Sequence, residues 1–172
     1  GARGDHLVLI EATCNQVNQD GGYTGMAPAD FRREVERMAE QHGLSDDRLV
    51  LGGDHLGPNP WKHLSAETGM AKAEELVDAF VRAGYTKLHL DTSIRCADDR
   101  PGALAPALVA ERAARLAVVA ERVSAEVGFE PRYVIGTEVP VPGGESVGEH
   151  GIHVSRADDV DETIEVLFVH HV

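Results

Sequence analysis

Aromatic residues are scarce in this chain, at 5% of positions, and tryptophan occurs once, as Trp61. Cysteine is scarcer still, with Cys14 and Cys96 as the whole complement. Two such thiols make neither a disulfide framework nor a metal-type spacing, and they read as reduced thiols in a cytoplasmic protein. No apolar run reaches the roughly 20 residues that a membrane-spanning helix needs, and the opening GARGDHLVLI lacks the order of a signal peptide. Bases are short as well: 16 Lys and Arg stand against 29 Asp and Glu, a net charge of −13. Such a surface repels phosphate backbones and anionic lipid, which argues against nucleic acid and membrane as partners. An anionic small substrate stays compatible, because clustered backbone N–H groups can outweigh the global field locally. Absent too are a GxxxxGK[ST] loop and the kinase glycine-rich set, so phosphoryl transfer from a nucleotide has no support.

What is present is ordinary globular composition, 42% hydrophobic and 26% charged, with apolar periodicity that alternates between strand and helix. Residues 6–12 (HLVLIEA) read as a buried strand, followed by the glycine-rich NQDGGYTGM. Next comes a helical segment on which Phe31, Val35 and Met38 recur, with Pro28 suited to the first turn and Gly43 to the stop. RLVLGG from Arg48 is a second strand. Ser65 is placed to cap a helix with the stripe Met70, Ala73, Val77 and Phe80, which ends at Gly84. KLHLDTS from Lys87 is a third strand, and residues 106–127 form an alanine-rich helix with Leu108, Leu116, Val119 and Val123 buried and Gly128 as its stop. RYVIGTEV from Arg132 is a fourth strand, and Ser155 is placed to cap a helix after it.

Alternating βα units imply parallel strands and an α/β fold. The unusual polar residues fall at the carboxyl ends of those strands: Glu11 and Asn15, Asp54 and His55, Asp91 and Ser93, then Glu138. Polar tips after every strand favour a (β/α)8 TIM barrel, whose carboxyl face carries chemistry, over a doubly wound sheet, which binds ligands at one switch point. A whole barrel needs about 250 residues, and four βα units are visible, so residues 1–172 read as one partial barrel domain of a longer protein.

In LGGDHLGPNPW, the adjacent Asp54 and His55 follow two glycines that permit close backbone approach. Neutral imidazole is a common metal ligand, and a carboxylate beside a divalent ion can move a proton on a carbon next to a polarised carbonyl. Taken alone the dipeptide reads equally well as an Asp capping the turn with a hydrogen-bonded His. His89 reads first as a satisfied core histidine, whereas Asp91, nearer the strand mouth, is the better functional candidate. Glu138 is either a carboxylate for metal-linked water or a substrate hydroxyl, or a solvated turn residue. Trp61 either walls a sugar site or packs on the barrel rim, and the NQDGGYTG loop reads as a turn before it reads as a phosphate nest. EHGIH has metal-binding residue types without a metal-binding spacing.

LIEATCNQVNQDGGYTGM, LGGDHLGPNPW, GMAKAEELVDAFVRAGYTKLHLD and VIGTEVPVPGGE, in that order, resemble one family. It is the accessory, or Z-type, subunit family of class II D-tagatose-1,6-bisphosphate aldolase, historically labelled tagatose-6-phosphate kinase. The resemblance implies a TIM barrel of more than twice this length and a role in tagatose, galactitol or N-acetylgalactosamine breakdown. It implies metal-assisted aldol or retro-aldol chemistry on a ketohexose phosphate, with a divalent metal, zinc foremost, and assembly with a catalytic aldolase subunit in an oligomer. Relatives of the family also act as stabilising partners or as sugar 4-epimerases. Carried over by motif, Asp54 becomes the proton-transfer residue and His55 the metal ligand, with Asp91 and Glu138 as supporting catalytic carboxylates and Glu11, Asn15, Ser93 and Trp61 toward substrate. The chain departs from the family in lacking identifiable further histidine ligands. It also departs at Ala27, where a helix-capping Thr is common, a change worth about 1 kcal/mol of stability.

Overall fold

The structure, a computed structural model, describes residues 6–135. Within them the chain alternates strand and helix: β1 (Val8–Thr13), α1 (Pro28–Gln41), β2 (Leu49–Leu56), α2 (Ala66–Arg82), β3 (Lys87–Leu90), α3 (Pro106–Val127) and β4 (Arg132–Ile135). The four strands form one parallel sheet in the order β1-β2-β3-β4. Each strand therefore lies beside its predecessor. The order never reverses to make a switch point, and this sequential parallel arrangement is that of a partial (β/α)8 barrel.

Strand alternation sorts the sheet into two unlike faces. Ile10, Ala12, Leu51, Leu88, Leu90 and Tyr133 pack with the helices in a single core that includes Val77, Phe80, Leu116 and Val123. α1 packs on α2, and α2 on α3. The other face carries Leu9, Glu11, Asp54, Lys87, His89, Arg132 and Val134, and there Leu9 is 47% and Val134 40% exposed. Among the described residues no helix covers this side. It corresponds to a barrel's interior, where neighbouring strands rather than helices supply the cover.

The helix boundaries follow local chemistry. Ser65 Oγ accepts the Thr68 N–H at the start of α2, and Gly43, Gly84 and Gly128 adopt positive φ just past the three helix ends. α1 starts without a side-chain acceptor at Ala27; instead the Asp30 carboxylate reaches back to the Ala27 N–H at 3.2 Å. One periodic residue departs from the expected pattern. Met38 is 43% exposed, because α1 meets the sheet and α2 mainly through Phe31, Val35 and Ala39. α3 in turn buries an arginine that periodicity did not mark: Arg112 is clamped by both carboxylate oxygens of Asp99, at 2.9 and 2.7 Å. That clamp ties the loop after β3 to the helix, and the Asp99 carboxylate also accepts the Cys96 N–H.

Candidate active site

Regular pleating would send Asp54 to the open face and His55 to the helix-covered one. β2 avoids this with an irregularity. Gly53 pairs with Leu88 and Leu56 with Leu90, so three steps on β2 answer two on β3. One extra residue is thereby accommodated, as in a β-bulge. His55 takes up the distortion at φ +51°, and it is the one non-glycine residue with positive φ among the described residues. A left-handed residue of this kind costs about 1–3 kcal/mol and persists where its surroundings enforce it. The result is that His55 stays beside Asp54, while Leu56 returns to the core with no exposed surface.

β3 supplies the third member. His89 projects from the open face next to Asp54, and its Nδ1 lies 2.8 Å from Asp54 Oδ1. His55 Nδ1 lies 2.8 Å from the other oxygen, Oδ2. The two rings are 4.6 Å apart between centroids and tilted by 49°. Burial alone would raise the Asp54 carboxyl, but the hydrogen bonds from His89 and then His55, with their charge, outweigh it and hold it below the ordinary carboxylate range. An ionised carboxylate only accepts, so the network assigns the proton to Nδ1 of each imidazole. Nε2 of each ring is then the atom not engaged by Asp54.

One ligand atom from each of Asp54, His55 and His89 falls within 4.8 Å of the other two. Two imidazoles and a carboxylate are a donor set for a divalent transition metal. A carboxylate that holds the second nitrogen of a ligating histidine is the usual support for one. The residues therefore fit a bound metal ion.

The remaining predicted site residues divide. Glu11 lies within β1 rather than at its tip, opposite Gly52, and forms an ion pair with Lys87. Asn15 is exposed beyond β1, at the same end of the sheet as Asp54. β3 ends at Leu90, so alternation no longer governs Asp91. Its side chain turns inward, 6% exposed, and its carboxylate accepts the Ser93 N–H at 3.0 Å and the Ser93 hydroxyl at 2.7 Å. Asp91 and Ser93 thus satisfy one another in a turn. Trp61 is buried in the core cluster, and its indole N–H donates to Asp20 at 3.2 Å. The glycine-rich loop closes on itself: Asn18 Oδ1 accepts from the Asp20 and Gly22 amides, and the Gly21, Tyr23 and Thr24 amides find carbonyls at Asn18, Asn15 and Gln16. Those amides are spent on the turn. Cys14, fully buried, has its thiol pushed up to about 12 by burial and then by the Asp91 charge, which leaves it inert. Glu138, Ser155 and the EHGIH segment lie outside the described residues.

Two further residues lie beside Asp54. His89 belongs to the cluster rather than to the core; its parity with Lys87 on β3 was the available signal. Lys87, whose ammonium lies 3.8 Å from Asp54 Oδ1, carried no signal, because its nearness depends on the register of three strands.

Comparison with known proteins bears on the family and the fold. The family described as D-tagatose-1,6-bisphosphate aldolase subunit GatZ/KbaZ-like matches residues 1–171. The chain belongs to that family. It is 55% identical over 158 residues to the D-tagatose-1,6-bisphosphate aldolase subunit GatZ of Escherichia coli, an alignment that takes in 91% of this chain and 37% of the relative. The GatZ subunit of Escherichia coli O1:K1 / APEC matches at 54% over the same shares. In structure the chain is similar to a probable tagatose 6 phosphate kinase from Sinorhizobium meliloti 1021, with a TM-score of 0.82 and 49% identity over 96% of this chain and 38% of that one. The chain thus spans under two-fifths of the length of these relatives.

Proposed function

We propose that this chain contributes four consecutive strands of a (β/α)8 barrel that serves in a tagatose-1,6-bisphosphate aldolase, acting on ketohexose phosphates in carbohydrate breakdown. The observation that carries the reading is the single carboxylate of Asp54 holding two imidazoles, on the uncovered sheet face at the carboxyl end of β2. His55 and His89 would hold a divalent metal, zinc by donor type. Such an ion would supply polarisation of a substrate carbonyl and stabilisation of the negative charge that develops beside it. Asp54, kept ionised at neutral pH, is the group able to take or return the proton. Retro-aldol cleavage and inversion at the fourth carbon begin by breaking the same carbon–carbon bond, so 4-epimerisation is the neighbouring activity of the same site.

A second reading, a non-catalytic stabilising subunit, draws support from relatives that are described as subunits. Kinase activity has only the name of the structural neighbour behind it: these residues hold no phosphate-donor loop, and the glycine-rich turn uses its amides internally. The deciding experiment is metal analysis of the full-length protein, with assays on tagatose 1,6-bisphosphate and on ketohexose 6-phosphates, with and without a catalytic aldolase subunit. Bound metal and turnover by the isolated protein support the enzymatic reading. Activity that appears only with the added subunit, unaffected by Asp54→Asn, overturns it in favour of the stabilising role.

A further inference from the structure

One layer beneath the Asp54 cluster, strand register places Glu11, Gly52, Lys87 and Arg132 side by side. A barrel interior is usually filled at such a level by bulky aliphatic side chains. Here β2 contributes no side chain at all, and the Lys87 chain crosses the gap to pair with Glu11. A Cβ at position 52 would stand 2.9 Å from Glu11 Oε1 and 3.1 Å from Lys87 Cδ, so the glycine clears the path of this pair. The crossing brings the Lys87 ammonium to 3.8 Å from Asp54 Oδ1, the same oxygen that meets His89 Nδ1. Lys87 is 18% exposed and Asp54 26%, so solvent weakens this attraction less than at an open surface.

We propose that Lys87 is a positioning residue for the metal site: anchored by Glu11 across Gly52, it fixes the Asp54 carboxylate in the orientation that holds His55 and His89 through Nδ1. Among the described residues its ion-pair partners are Glu11 and Asp54, and it acts through Asp54. Glu11 thereby serves as the anchor of the lysine rather than as a substrate contact, and Gly52 supplies the space. The inference rests on the reading of Asp54, His55 and His89 as a metal site.

The test uses the full-length protein, titrated calorimetrically with Co2+ and Zn2+ after metal removal, together with nitrogen NMR of the histidine rings in the metal-free state. Lys87→Met is expected to weaken metal binding about ten-fold, the scale of a lost supporting contact. Lys87→Arg, which keeps the charge, restores most of the affinity. Gly52→Ala, which wedges the pair from beneath, weakens binding in the same direction. Lower thermal stability in Lys87→Met with unchanged metal affinity would reduce Lys87 to a packing role and overturn the proposal. If the unsubstituted protein binds neither ion, the metal reading itself fails, and the ring spectra still decide the positioning claim. Loss of the Nδ1-protonated form in Lys87→Met supports it, and identical spectra reject it.

Discussion

Asp54 Oδ1 and His89 Nδ1, from residues 35 apart in sequence, lie 2.8 Å apart across the β2–β3 boundary. The other oxygen of the same carboxylate lies 2.8 Å from His55 Nδ1. A symmetric acceptor therefore faces two donors, and its chemical symmetry can be removed without changing its size. Asn at position 54 keeps one oxygen and replaces the other with an N–H2 donor. One imidazole keeps its partner, while the other must change tautomer or turn away. Asp54→Asn is expected to lower turnover on the ketohexose phosphate by about 10²–10⁴-fold, the usual contribution of a general base. Metal affinity should fall alongside, with far-UV circular dichroism unchanged. Undiminished turnover in a correctly folded variant would take Asp54 out of the chemistry.

The backbone of His55 offers a separate test, because its left-handed φ of +51° is strained for any side chain that carries a Cβ. His55→Ala and His55→Gly both delete the imidazole, but only glycine releases the strain. His55→Gly should therefore unfold at higher denaturant than His55→Ala, by about 1 kcal/mol. This is opposite to the order found inside a regular strand, where glycine is the weaker residue. Both variants should lose metal affinity. Equal midpoints would show that the bulge relaxes once the ring is gone.

The sequence carried the element order, the helix ends and the gathering of polar residues at the carboxyl end of the sheet. Those features rest on local signals: glycines after helices, Ser65 before α2, and apolar stripes such as Met70, Ala73, Val77 and Phe80. Residues whose role depends on register or on a departure from alternation were not legible. His89 looked like core because nothing in KLHLDTS says which face of β3 stays open. Asp91 follows the end of β3 at Leu90, so no alternation rule says where its carboxylate goes, and its pairing with Ser93 is visible only in the structure. The bond from the Trp61 indole N–H to Asp20 spans 41 residues, which the local sequence does not announce. The bulge at Gly53–Leu56 is a property of two paired strands together, and one strand cannot announce it.

The start of α1 predicts a gain rather than a loss. Ala27 sits at the N-cap with extended backbone, φ −75° and ψ 161°, and offers no side-chain oxygen to the first-turn amides. Asp30 already supplies the reciprocal half of a capping box by accepting the Ala27 N–H. Ala27→Ser or Ala27→Thr would add the missing half. Either is expected to stabilise the protein by about 1 kcal/mol, read as a shifted denaturation midpoint at unchanged slope. Metal affinity and turnover should stay as they were, since the change lies on a helix start. No shift in midpoint would mean that α1 gains nothing from a side-chain cap.

The buried clamp of Asp99 on Arg112 predicts a stability difference with a defined pH profile. Their side chains are 8% and 7% exposed, and two charge-assisted hydrogen bonds join them. The hydrogen bonds from Arg112 hold the Asp99 carboxyl below its usual range, against the opposing effect of burial. A carboxyl depressed in the folded state contributes stability in full above its unfolded value of about 3.9, and that contribution fades as pH falls through the lower folded value. Asp99→Asn leaves Arg112 charged and half-satisfied, at an expected cost of about 3 kcal/mol at pH 7. Urea unfolding of both proteins from pH 7 down to pH 2 should show that gap constant to about pH 4 and narrowing below it, as the wild-type carboxyl takes up its proton. A gap that stayed constant down to pH 2 would mean that the loss comes from packing at the amide rather than from the missing charge.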